Sequence, residues 1–137
     1  MKLDPSAFTA DPELIKSLEK HSTPVACEGD RLLFRQGDVP AGLFVLIKGE
    51  VTLTMDSTDG DPIMSAEAIA GSLLGLPGLI GNQPYTLTAI ARKNAEISFI
   101  TRDDFTGIMR SDPPLSLKVL QVLAAEVRSA RHAIFQL

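Results

Sequence analysis

Residues 71–89 read GSLLGLPGLIGNQPYTLTA, with four glycines, two prolines and no side chain charged at neutral pH. Chemistry in this stretch would rest on Ser72 near one end, Tyr85 and Thr86 near the other, and backbone amides that the glycines leave uncovered. A glycine-rich segment running into a short helix is a natural cradle for a phosphate or other anion, because free N–H groups and the helix dipole converge there. Such cradles usually add an arginine or lysine, yet no basic residue lies between Gly49 and Ala91. Amides and dipole alone are worth about 0.3–1 kcal/mol to an anion. The other residues able to ligate or react are His21, His132 and the single cysteine, Cys27. One cysteine permits neither an internal disulfide nor a multi-cysteine zinc or iron–sulfur site. No nucleophile–base triad, carboxylate pair or metal-ligand spacing emerges, so neither enzymatic activity nor a metal or cofactor is expected.

The elements that must position these residues follow from the pattern of the chain. Its 137 residues, 45% hydrophobic and 22% charged, fit one domain with a real core. The net charge of −4 is a poor footprint for direct DNA binding, which needs clustered Lys and Arg. No segment approaches the roughly 20 apolar residues that span a bilayer, and the N-terminus lacks a signal-peptide core, so a cytoplasmic location is expected. Asp11-Pro12-Glu13 opens a helix with Leu14, Ile15 and Leu18 on its apolar stripe, fading by His21 to Pro24. Between Val25 and about Ile100 the chain turns to short β-type runs: 31–34, 43–47, 51–55, 63–69, 86–91 and 95–100. Their spacing predicts a sandwich or barrel. Arg102 to Met109 predicts a short helix, and a long one follows from about Leu115. That last helix carries two stripes. Leu120, Leu123, Val127, Ala130, Ile134 and Leu137 form a heptad seam, while Leu115, Val119 and Val122 lie on another flank. One stripe can pack on the β-domain and the other on a second copy of the chain. The segments divide as 1–24, helical; 25–101, β-domain with the cassette at 71–89; and 102–137, short helix plus dimerisation helix.

Leu33-Phe34-Arg35-Gln36-Gly37-Asp38, followed by Leu43-Phe44-Val45-Leu46-Ile47-Lys48-Gly49-Glu50-Val51, resembles the first signature of cyclic nucleotide-binding domains. Arg102-Asp103-Asp104-Phe105 resembles the helix after their last strand, and 112–128 the start and body of their dimer helix. The likeness runs from about Val25 to Leu137 and is greatest to the sensor half of the Crp–Fnr bacterial transcription regulators. It implies an α+β fold: a jelly-roll β-roll with an N-terminal helix and a long C-terminal dimerisation helix.

The resemblance also implies where a ligand would sit. In nucleotide-binding members a phosphate-binding cassette reads Gly-Glu-Leu at one end and Arg-(Ser/Thr)-Ala at the other. The glutamate takes the ribose 2′-hydroxyl and the arginine pairs with the cyclic phosphate. Here the ends are matched by Gly71-Ser72-Leu73 and by Tyr85-Thr86-Leu87, so serine replaces the acid and tyrosine the arginine. Charge-assisted hydrogen bonds are worth roughly 1.5–3 kcal/mol each. Losing two removes about two to four powers of ten in affinity. Tight cyclic-AMP binding is therefore not expected. The adenine-facing positions of the dimer helix match Ala130 and Arg131, another departure from the cyclic-AMP pattern.

Three readings stay open: a degenerate effector domain that dimerises and takes an uncharged or weakly anionic ligand or none; a true cyclic-nucleotide receptor using Ser72, Tyr85 or Thr86; and an interaction scaffold with a collapsed pocket. In the regulators a helix-turn-helix domain follows the dimer helix. This sequence reads either as a stand-alone module or as the sensing half of a transcription regulator.

Overall fold

The computed structural model describes residues 2–135, with side-chain surroundings through Ala133. Two four-stranded antiparallel sheets face each other. The first runs β1 (Thr23–Val25), β8 (Glu96–Thr101), β3 (Gly42–Lys48), β6 (Leu73–Leu74). The second runs β2 (Arg31–Phe34), β7 (Thr88–Ala91), β4 (Val51–Asp56), β5 (Pro62–Ala68). Helices α1 (Pro12–Glu19), α3 (Arg102–Ser111) and α4 (Pro113–Phe135) cover the first sheet from outside, and α2 (Leu76–Gly81) sits between β6 and β7. This is the expected β-roll with flanking helices.

The unbroken apolar run of β3 follows from burial on both faces. Leu43 and Val45 point to a cluster with Leu14, Leu18, Phe105, Ile108 and Val119 of the helices. Phe44 and Leu46 face the roll interior with Phe34, Leu53, Leu74 and Ile97. β4, whose outer face meets solvent, alternates instead, with Val51 and Leu53 inward. Gly49 turns β3 into β4 at φ +94°, and a Cβ there would lie 2.9 Å from Ala95 Cα, so only glycine fits. β1 contains Pro24 and pairs only with β8, as a proline strand at a sheet edge must.

α1 starts where its sequence says. The Asp11 carboxylate accepts from the Leu14 N–H at 2.8 Å, and that bond chiefly holds Asp11 below its ordinary pKa. Lys118 of α4 bridges Asp11 at 3.2 Å and Glu13 at 2.9 Å, staking the N-terminal helix to the C-terminal one. Exposed pairs of this kind contribute little each; the buried Leu14 and Leu18 do most of the anchoring. A single-turn 3-10 helix at Pro5–Phe8, capped by Asp4, precedes α1 and carries Phe8 into the roll interior. That turn, and the two-residue β6, were not anticipated from the sequence.

Along α4 the two stripes separate only in part, because Leu123 and Ala130 of the seam pack against the chain's own core. Leu115, Val119 and Val122 are buried against the helical cluster. Leu120 and Val127 of the heptad seam stand 50% and 47% exposed, and Leu123 and Ala130 are half-buried. Of the seam, the side chain of Ile134 and the whole of Leu137 lie outside what the structure describes.

Candidate functional site

The cassette opens with residues that tie it to its neighbours. Gly71, at φ +90°, donates to Leu46 O at 2.8 Å, and its own carbonyl accepts from the Ala10 N–H. Ser72 is fully buried, and its hydroxyl donates to Ile69 O at 2.6 Å, closing the turn between β5 and β6. Leu73 is buried among the helices beside β3. The short helix begins at Leu76, just after Gly75, whose φ of +90° turns the chain into α2. Asn82, also left-handed, ends α2 after six residues. Arg102, from the start of α3, donates to Asn82 Oδ1 at 2.6 Å and to Pro40 O at 2.7 Å, so the guanidinium beside the cassette's far end is already engaged.

Tyr85 occupies the interior. The Gly37 N–H donates to its carbonyl at 2.8 Å, and its own N–H donates to Asp38 O at 2.9 Å, clasping it to the turn that follows β2. Its ring stacks on Phe34 with centroids 4.0 Å apart, and its hydroxyl donates to Gly42 O at 2.9 Å across the roll. Burial pushes the phenol above its ordinary pKa, with the bond to Gly42 opposing. A Cβ on Gly75 would meet Tyr85 Cε1 at 2.6 Å, so glycine at the mouth of α2 is what lets the ring in. Thr86, the next residue, is exposed.

The hollow left beneath the cassette measures only about 10 Å³, lined by Phe8, Phe34, Gly75, Tyr85, Thr86 and Glu126, among others. That is the size at which a cavity just admits one water. Tyr85 and Thr86 of the expected site line it; Gly71, Ser72 and Leu73 do not. A far larger groove, about 900 Å³, lies between Lys2 to Ala7 and Ala125 to Ala133. Among the described residues no His, Cys, Asp and Glu group forms a metal-binding cluster. No described helix is long and apolar enough to cross a membrane.

Glu126 of α4 was missed from the sequence. It is 8% exposed, and its Oε1 lacks a hydrogen-bond partner among the described residues. Burial alone raises its pKa from 4.5 to about 8. The signal was present, because Glu126 continues the Leu115, Val119, Val122 stripe at helical spacing. Its position faces inward, against the ordinary habit of a glutamate.

The model of the cyclic nucleotide-binding domain matches residues 24–112. The cyclic AMP receptor protein of Thermus thermophilus is 26% identical over 98 residues, which are 72% of this chain and 45% of that protein. Lysophospholipase nte1 of Neurospora crassa is 24% identical over 118 residues, 86% of this chain and 8% of that one. The chain thus spans a small part of the lysophospholipase and under half of the receptor. Among solved structures, the Thermus thermophilus catabolite activator protein superposes with a TM-score of 0.79 at 21% identity, covering 97% of this chain and 62% of that one. The N-terminal domain of a Streptomyces coelicolor transcriptional regulator gives 0.66 at 25% identity, over 95% and 90% of the two chains. The β-roll with its flanking helices, the Gly37-Asp38 turn and the match over 24–112 agree, and the chain belongs to the cyclic nucleotide-binding domain family.

Proposed function

We propose that this chain is a regulatory sensor module of Crp–Fnr type whose cassette does not accept cyclic AMP, and that it acts in the cytoplasm as a homodimer through α4. The observation that carries the reading is Tyr85, stacked on Phe34 and bonded to Gly42 where a ligand would lie, with a hollow of only about 10 Å³ beside it. The missing anchors support it under either register of the cassette. Counted from Gly71, the acid position holds Ser72, whose hydroxyl is bound to Ile69 O. Counted from Gly75, the glycine that opens the short helix, it holds Leu76. Neither register offers an arginine.

The dimer half of the reading is supported by Leu117, Leu120 and Val127, three large apolar side chains between 47% and 58% exposed along α4. Exposed apolar stripes of this kind on a long helix favour pairing with a second helix. Sedimentation at micromolar concentration should give a dimer, and Val127→Glu should give a monomer, because carboxylates would be buried across the axis without partners. A wild-type monomer, or a dimer untouched by V127E, contradicts it. Calorimetric titration with cyclic AMP and cyclic GMP tests the closed cassette.

A further inference from the structure

We propose that the groove between the N-terminal segment Lys2–Ala7 and α4 binds a small amphipathic carboxylate, its head among Lys2, Arg128 and His132 and its tail along Ala7, Ala125 and Ala133. The site lies outside the cassette, so the proposal goes beyond the reading above and stands whether or not the cassette is closed. The groove measures about 900 Å³, at the upper end of what small-molecule sites occupy. Its helical wall runs from Ala125 to Ala133, about 12 Å of helix, which matches a carboxylate of about eight carbons. Small residues on both walls keep it open: Ser6 and Ala7 on one side, Ala125, Ser129 and Ala133 on the other.

The charge on the lining selects the head. Lys2, Arg128 and His132 face the groove, and Asp4 is the acid among them. Asp4 is committed to its own turn, where Oδ1 accepts from the Ser6 N–H at 3.0 Å and from the Ser6 hydroxyl at 2.8 Å. Its N–H donates to Ser129 Oγ at 3.1 Å, which ties the segment to α4. Neither Lys2 nor Arg128 has an ion-pair partner among the described residues; the ion pairs there join Arg92 to Asp30 and Lys118 to Asp11 and Glu13. A chain of net charge −4 thus gathers positive charge around one depression, and an anion is complementary to it. The planar fork of Arg128 suits a carboxylate in particular. The tail follows from the rest of the lining. Apart from Ser6 and Ser129, whose hydroxyls meet Asp4, the walls are the apolar Leu3, Ala7, Ala125 and Ala133. At about 3.6 residues per turn, Ala125, Ser129 and His132 lie on the side of α4 turned away from Val127, the face assigned to a second copy.

The test titrates the full chain with sodium octanoate, following amide NMR shifts at about pH 7, where the carboxylate is ionised. Amides of Ala7, Ala125 and Ser129 should shift saturably, with half-saturation below about 1 mM. Sodium acetate has the head without the tail, and octyltrimethylammonium chloride has the tail with the opposite charge. Each should bind at least about tenfold more weakly. Arg128→Gln should lose at least about tenfold in affinity, and Arg128→Lys, which keeps the charge, should retain most of it. No saturable shift up to about 10 mM octanoate overturns the proposal, as does an undiminished response in R128Q. Equal binding of octyltrimethylammonium overturns it too. So do shifts centred on Leu117, Leu120 and Val127, which would put the tail on the exposed seam instead of in the groove.

Discussion

Tyr85→Ala should lower stability by about 3–5 kcal/mol, the range for truncating a large buried aromatic. For a domain of this size the melting temperature would fall by roughly 10–20 °C. The loss has three parts on the molecule. The ring that stacks on Phe34 disappears, the bond to Gly42 O goes, and Gly75 faces an empty space. Tyr85→Phe separates them, because it keeps the ring and gives up only the hydroxyl, at about 1 kcal/mol. Thermal or urea unfolding of both variants checks the prediction. A Tyr85→Ala protein within about 1 kcal/mol of wild type would mean that the ring is not the plug of the roll.

Replacing Glu126 should act in the opposite direction. Its carboxyl titrates near 8 in the fold and near 4.5 when exposed. Below about 4.5 both states are protonated and the group is neutral to stability. Between about 4.5 and 8 the unfolded chain releases the proton while the folded one keeps it, so stability falls as pH rises, and above about 8 the deficit is constant. At pH 7 the cost is on the order of 3 kcal/mol. Glu126→Leu, which completes the inward stripe, should therefore stabilise the protein at neutral pH, with a gain smaller by about 3 kcal/mol near pH 4.5, where only the packing part remains. Glu126→Gln should flatten the pH profile without the packing gain. Urea midpoints measured across this pH range decide it: an E126L protein no more stable than wild type at pH 7 contradicts the burial of that carboxyl.

Much of this was readable from residue order, and the failures have physical causes. The run Leu43 to Ile47 was legible as a strand, and Asp11-Pro12 fixed the start of α1 because cap and proline act locally. The Gly37-Asp38 and Gly49 turns were legible because their glycines are needed for left-handed backbone. The single turn at Pro5–Phe8 and the pair Leu73–Leu74 are too short to carry a period, so pattern reading passed over them. The cassette was ambiguous for a related reason. Gly71 and Gly75 both stand at φ +90°, and either could begin a cradle; only the helix at Leu76 distinguishes them. What Tyr85 does depends on Phe34 and Gly42, some 40 to 50 residues away in sequence, contacts that no local pattern encodes. Glu126 was hidden by its type, since a glutamate on a long helix reads as a solvated face.

Calorimetric titration of the wild-type chain with cyclic AMP and cyclic GMP tests the central claim most directly. With Tyr85 seated and neither anchor present, the account predicts no saturable heat for either nucleotide at concentrations up to about 1 mM, equivalent to binding weaker than about 4 kcal/mol. Saturable binding of either nucleotide at micromolar concentration would contradict it.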